Sequence, residues 1–386
     1  MPTARRAAVI AALALSAATA SVLTACGSDP QQPANLISVS DGGCGPAWHL
    51  NGPGWYTFHI YDASTEGGEV DLINPADGAV YAEVEALGPG TTAPMRLDVG
   101  SGRYAFRCLL EDVDTITGPA ETVPGHAKGS PAILPVTNDD LYGPAARYHS
   151  YVTAGLATLA AQANTLAADV RAGNLAKART DWLPAHLTYE RLGAAYDAFG
   201  PYDDEIDGRP DGLTGGVSSS RWTGFYRLEY GLWHGQPAKT LTTVATTLDA
   251  NIKALQKAWP AMEIDLLDIG LRTHEILENA LQFQLSGHDD YGSGTTLATT
   301  EASITGTEEL LTVLHPVLAA RYAQLPAVTT WLDRLQALLS RSGYQNGHWL
   351  PVTTLSSTSR EEIDATCGQA LEELAPIATI TEPRRT

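Results

Sequence analysis

Residues 223–235 read TGFYRLEYGLWHG. At about 100° per residue, Phe225, Tyr226, Leu228, Leu232 and Trp233 fall within one helical arc of roughly 160°, with Glu229 near its centre. A helix turns such an arc toward a core, so the Glu229 carboxylate points inward as well. A buried charge requires a partner, a proton or a metal ion. The stretch thus specifies a packed helical unit and poses a chemical question that the neighbouring helices must answer.

The helical period continues on both sides. Apolar-periodic stretches cover roughly 140–171, 174–199, 221–234, 240–258, 261–286, 300–322, 327–342 and 359–375, which predicts an all-α domain over 140–380 made of one or two bundles. Upstream, from Leu36 to Val123, short alternating runs such as WYTFHIYDAS and GRYAFRCLL are separated by Gly, Pro and Asn turns. These predict an all-β sandwich over 36–123. Residues 124–139, with their Pro and Gly and no period, read as a linker. A length of 386 residues agrees with two domains.

Lys and Arg number 24 against 44 Asp and Glu, a formal net charge of -20. Binding to nucleic-acid phosphates requires a basic surface, so this balance excludes nucleic acid as a partner and favours cations. At the start, Arg5 and Arg6 precede an apolar run from Ala7 to Leu23, and the run closes on Leu23-Thr24-Ala25-Cys26. That ending resembles the lipobox of bacterial lipoproteins, which implies a signal peptide over 1–25 and a lipid on Cys26. Residues 26–35 then form a tether to a membrane surface. Of the remaining cysteines, Cys44 and Cys108 bracket the β region and are expected to pair as a disulfide in an oxidising compartment. Cys367 is expected as a buried thiol in a C-terminal helix.

A second inward acidic set lies in DWLPAHLTYERLGAAYDAFG, residues 181–200. If one helix runs through it, His186, Glu190 and Asp197 fall within about 40° of one another, on the face that also carries Trp182, Tyr189 and Tyr196. On a third helix, Asp268, Glu275 and Glu278 share a polar side. HEILE at 274–278 lacks the second histidine of a zinc-peptidase HExxH, so the tetrahedral zinc set is incomplete. Inward carboxylates and an imidazole on adjacent helices suit iron or another hard cation. Spacing alone leaves a second reading open, in which Arg191, Arg227 and Arg272 neutralise the acids as buried salt bridges.

The runs ARTDWLPAHLTYERLGAAYDAFG, TGFYRLEYGLWHG and THEILENALQFQLSGHDDYGSG resemble the imelysin-like domain of EfeO-type proteins of bacterial Efe iron-uptake systems. The β region, with DGGCGP and GSGRYAFRCLLED, resembles the cupredoxin-like domain that precedes it in full-length members. The resemblance implies a two-domain protein: an N-terminal cupredoxin-like sandwich and a C-terminal imelysin-like double helical bundle. It further implies an extracytoplasmic location, ferrous or ferric iron as the bound species, and delivery to an iron permease working with a haem peroxidase. The family's G-x-H-x-x-E pattern is met by Gly224 and Glu229, whereas Tyr226 stands at the histidine position. Glu229 carries over as a ligand. For Tyr226 three roles stay open: ferric ligand, hydrogen-bond donor to a coordinated water, or a weakened site, with His186 supplying the imidazole.

No type 1 copper is expected in the β region, because LLEDVD after Cys108 offers neither the histidine nor the methionine that such a centre uses. Glu66, Glu69, Asp71, Glu83 and Glu85 alternate along its strands, as a second cation site or as a solvated face. The expected metal set is therefore Glu190, Glu229, His186, Asp197, Glu275 and Tyr226, with no catalytic residues. Two other function classes compete: a metallopeptidase, and a metal-free envelope module for an anionic sugar or a partner protein.

Overall fold

A computed structural model describes residues 35–385, so Cys26, the signal peptide and most of the tether lie outside the described residues. The strand-rich and helical regions lie where their periods place them. β1 (Leu36–Ser40), β2 (Gly43–Cys44), β3 (Gly54–Asp62) and β6 (Thr92–Val99) form one sheet in the order β2-β1-β3-β6. β5 (Val80–Leu87), β4 (Gly68–Ile73), β7 (Gly102–Leu110) and β8 (Ile116–Thr117) form the second, with β9 (Glu121–Val123) also paired to β7. β1 and β3 run parallel, and the other pairings are antiparallel.

Alternation along β3 turns Phe58 and Ile60 into the space between the sheets, where they meet Val70, Leu72 and Phe106. Cys44 and Cys108 form a disulfide inside this core. β7 departs from alternation, with every residue from Tyr104 to Leu110 buried. A strand buried on both faces needs a cover on each. Beside it in the same sheet, Val80 of β5 exchanges backbone hydrogen bonds with Ile133 of the segment after β9, and the C-terminal tail reaches both strands. Arg384 in that tail pairs with Glu83, and Arg385 donates to the Leu110 carbonyl.

The helical region begins with α1 (Asn138–Arg171), whose entry is closed by a reciprocal capping box between Thr137 and Asp140. α2 (Leu175–Glu190), α3 (Tyr196–Phe199), α4 (Pro201–Asp207), α5 (Gly224–Trp233) and α6 (Ala238–Ala258) follow. Then come α7 (Leu266–Asn279), α8 (Thr296–Leu318), α9 (Leu325–Gly343) and α10 (Ser357–Thr381). α1 packs on α2 and α6, and α5 on α2 and α6. α7 packs on α8 and α10, with α9 against α8 and α10. Contacts of α1 and α2 with α8 join the two groups, and one continuous apolar core runs through both. Cys367 is a buried free thiol on α10. No helix among the described residues is long and apolar enough to cross a membrane.

One expected element is corrected. The helix anticipated over 174–199 stops at Glu190, passes through a 3-10 turn at Gly193–Ala195 and restarts as α3. The chain at the break is pressed against both α7 and α8. A Cβ on Gly306 would lie 2.8 Å from the Arg191 carbonyl oxygen, and one on Gly193 would lie 3.2 Å from Ile276. α2 therefore ends at the junction of the two helix groups, and its last turn is presented there.

Candidate metal centre

The last turn of α2 carries His186 and Glu190, one helical turn apart and both buried. His186 is wedged among rings: Trp182 lies 4.7 Å away and Phe225 and Tyr226 each 5.2 Å away, centroid to centroid. Trp182 is itself pinned by donating to the Phe225 carbonyl at 3.0 Å. The imidazole is thereby held so that Nε2 donates to Asp207 Oδ1 at 3.1 Å and lies 3.1 Å from Glu190 Oε1. Ligand atoms of His186, Glu190 and Asp207 all fall within 4.8 Å of one another.

Asp207 ends α4, a short helix that opens on Gly200 and Pro201. The sequence reading missed it, because PYDDEID looks like a solvated acidic turn. A signal was present in Asp203 and Asp207, which repeat the i, i+4 spacing of His186 and Glu190. Asp203 accepts a hydrogen bond from the Tyr189 hydroxyl and is pushed up to about 6, burial being the larger cause and the tyrosine opposing it. Burial also drives Asp207 well above the usual carboxylate range, against the stabilising pull of His186. For His186 burial acts downward, but Asp207 and Glu190 outweigh it and push the imidazole up to about 10. The proton on His186 thus occupies the place a metal cation would take between two carboxylates.

These groups border a cavity of about 170 Å³ at the junction of the two helix groups, lined by Glu190, Asp203, Asp207, Tyr226, Arg209 and Arg272 among others. Tyr226 is buried, and its hydroxyl donates to Asp289 Oδ2 at 3.3 Å. Asp289 is gripped by Arg209 through two hydrogen bonds of 2.7 and 2.8 Å, and the guanidinium stacks on Phe283 at 3.8 Å. Glu190 Oε2 accepts from Gln284 at 3.3 Å, and Gln284 in turn accepts from Ser303 of α8.

The other expected ligands stand apart from the three-residue group. Asp197, displaced by the end of α2, pairs with Arg272 and is 57% exposed. Glu275 pairs with the same guanidinium at 3.1 Å. For these two, the salt-bridge reading describes the contacts. Glu229 is buried, as its place in the apolar arc predicts, and Oε1 accepts from the Ser293 backbone N–H at 2.9 Å. Its Oε2 has no hydrogen-bond partner among the described residues, and burial raises the carboxyl to about 7, with Ser293 opposing the shift.

In the β region, Glu69, Asp71 and Glu83 also bring carboxylate oxygens within 4.8 Å of one another. Arg107 holds Asp71 at 2.6 Å and Arg384 holds Glu83, so two guanidiniums already balance this group.

The imelysin family model, which bears a peptidase M75 label, matches residues 144–376, spanning His186, Glu190 and Asp207. The chain belongs to the imelysin family. Among curated relatives, this imelysin-family chain is similar to the iron uptake system component EfeO of Yersinia pseudotuberculosis serotype I, at 28% identity over 286 residues and 74% of each chain. It is also similar to the iron uptake system component EfeO of Escherichia coli strain K12, at 24% identity over 319 residues, covering 82% of this chain and 83% of the relative. Both alignments are longer than the imelysin match, which is 233 residues from 144 to 376.

Proposed function

We propose that this protein is the iron-binding component of an Efe-type uptake system, holding iron at His186, Glu190 and Asp207 outside the cytoplasm and releasing it to a membrane permease. The observation that carries the reading is the convergence of two carboxylates, buried Glu190 and half-buried Asp207, and one buried imidazole within 4.8 Å at the edge of a cavity. Carboxylate with imidazole is a donor set that iron accepts readily. The names of the EfeO relatives support iron as the cargo. Capture requires the metal to displace the proton from His186, so binding and proton release are one event. Tyr226 lines the same cavity with its hydroxyl turned to Asp289, and Glu229 stands apart, held by Ser293. A haem peroxidase of the same system, a lipid on Cys26 that keeps the protein at the membrane, and a cupredoxin-like β domain complete the proposal.

Reversible capture needs no catalytic group, and we read the protein as a carrier, without peptidase activity. Titration calorimetry of the full chain with ferrous iron under argon and with ferric iron, alongside a peptide-library cleavage assay, separates the readings. Binding of one ion per chain without cleavage is expected. A protein that takes up neither ion and cuts peptides is not an iron carrier.

A further inference from the structure

We propose that Arg272 is a gate at the mouth of the cavity, and that its exchange between Asp197 and Glu275 sets how fast the metal enters and leaves. The inference rests on the metal reading above and adds a conformational step to it. Of the residues that line the cavity, only Asp197 and Asn279 are exposed, so the opening lies between them. Arg272, Ile276 and Asn279 follow one another at i, i+4 and i+7 and form the wall that α7 contributes. Asp197 lines the cavity from α3. One terminal nitrogen of Arg272 pairs with Asp197, so the guanidinium joins α7 to α3 at the exposed end of the cavity. The second terminal nitrogen pairs at 3.1 Å with Glu275, on the same helix as Arg272.

These two partners differ in the way a gate requires. The Asp197 pair joins two elements, whereas the Glu275 pair lies along one. When the Asp197 contact breaks, Glu275 keeps the guanidinium charge compensated, and the side chain swings back along α7 with no helix displaced. The Asp197 side chain is 57% exposed against 10% for Arg272, so this contact is the one that water and ions reach. An ion pair open to solvent is weak and screened by salt, and it breaks easily. A cation arriving at the mouth meets the Asp197 carboxylate and competes with the guanidinium for it. The metal therefore favours its own admission. Opening and closing act on entry and release alike and leave affinity, their ratio, unchanged.

The test uses the full chain and ferrous iron alone, under argon at about 0.15 M salt, where long-range steering by surface charge is screened. Uptake is followed by stopped flow through tryptophan fluorescence, the Trp182 ring lying 4.7 Å from that of His186. Release is timed by transfer to saturating ferrozine. Asp197→Asn frees the guanidinium from α3 and is expected to speed uptake and release by about fivefold each, the scale of an exposed ion pair, with affinity nearly unchanged. Glu275→Gln removes the resting place of the open gate and is expected to slow both. The opposite signs are decisive, since each substitution deletes one negative charge near the mouth. Shifts of the same sign in the two variants show a charge effect and overturn the gate, as do native rates in both. A faster release matched by an equal loss of affinity makes Asp197 part of the binding site and likewise overturns it. Iron taken up by neither native protein nor variant removes the metal reading itself. Should Glu275→Gln not fold, Asp197→Asn still decides through the ratio of its two rates.

Discussion

His186 Nε2 donates to Asp207 Oδ1 across 3.1 Å, although 21 residues separate them. The contact joins the end of α2 to the end of α4 and makes an exposed-looking acidic turn part of a buried site. Neither residue is in place unless both helix ends are. The centre is therefore a product of how two chain segments terminate, more than of any one helix face.

Asp207→Asn tests the ligand set. The amide keeps the shape of the side chain and its hydrogen bond to His186 but loses the charge that a cation requires. We expect iron affinity to fall by at least about tenfold, since even residues that only support metal ligands typically cost 10–100-fold. Calorimetry reads the loss, and an unchanged circular dichroism spectrum shows that the bundle persists. Asp197→Asn is expected to leave iron affinity nearly unchanged, because that carboxylate serves Arg272.

Iron binding should strengthen with pH. Held up to about 10 by Asp207 and Glu190 against the effect of burial, His186 is protonated at neutrality. A metal must expel that proton, so affinity rises about tenfold per pH unit while one proton is released per ion. Calorimetry at pH 6, 7 and 8 in buffers of different ionisation enthalpy counts the protons. In the metal-free protein the raised imidazole contributes stability that is fully present below its unfolded value of 6.5 and is lost as pH climbs through about 10.

Glu229 moves stability in the same direction, at lower pH. Its folded value of about 7 lies above the 4.5 of an ordinary glutamate, so between these values the folded state holds the extra proton. Stability of the metal-free protein therefore falls as pH rises through that window, by on the order of 3 kcal/mol in total. Glu229→Gln retains an acceptor for Ser293 and removes the charge. Denaturant titrations at pH 5 and pH 8 should show the native protein losing more stability between the two than the variant, which keeps only the part that His186 contributes.

The residues that were legible in the sequence share one property: their neighbours along a single helix define their environment. Glu229 amid Phe225, Leu228 and Leu232, and His186 one turn from Glu190, are read from a 3.6-residue period. The change of period near 140 likewise separates strands from helices before any contact is known. Asp207 was not legible in this way, because α4 has only seven residues and no period of its own. Asp197 was misplaced for the complementary reason. Extending one period past Gly193 ignored the packing of α7 and α8 that ends α2, and tertiary contact overrides local pattern at such junctions. The guanidinium partners of Asp197 and Glu275 were in view as sequence neighbours, but only the fold shows that one arginine serves both.

The Cys44–Cys108 disulfide spans 64 residues and lies wholly within the β region. Closing a loop of that length restricts the unfolded chain and is worth about 2–4 kcal/mol. The Cys44→Ala, Cys108→Ala double variant should lower the stability of the β region by that amount. Trp48, which packs 5.1 Å from Phe106 and 5.4 Å from Phe58, sits in the same core. Its fluorescence reports the shift in a denaturant titration, while far-ultraviolet circular dichroism of the helices should keep its midpoint.

Gly224 links the fold to the site. It opens α5 at φ +91°, a conformation side chains rarely adopt, and a Cβ there would lie 2.3 Å from the Ile206 carbonyl oxygen. Ile206 is the residue before Asp207, so glycine lets α5 sit directly against the end of α4. Gly224→Ala cannot keep both the backbone angle and the contact, and either α5 or the end of α4 must shift. The strain and overpacking should cost about 2–4 kcal/mol. Because a shift at Ile206 moves Asp207 relative to His186, iron affinity should fall together with stability. A variant that loses stability but binds iron with native affinity would show that α5 had yielded and that α4 is fixed by other contacts. Measuring both quantities on the same preparation therefore identifies which helix end sets the geometry of the centre.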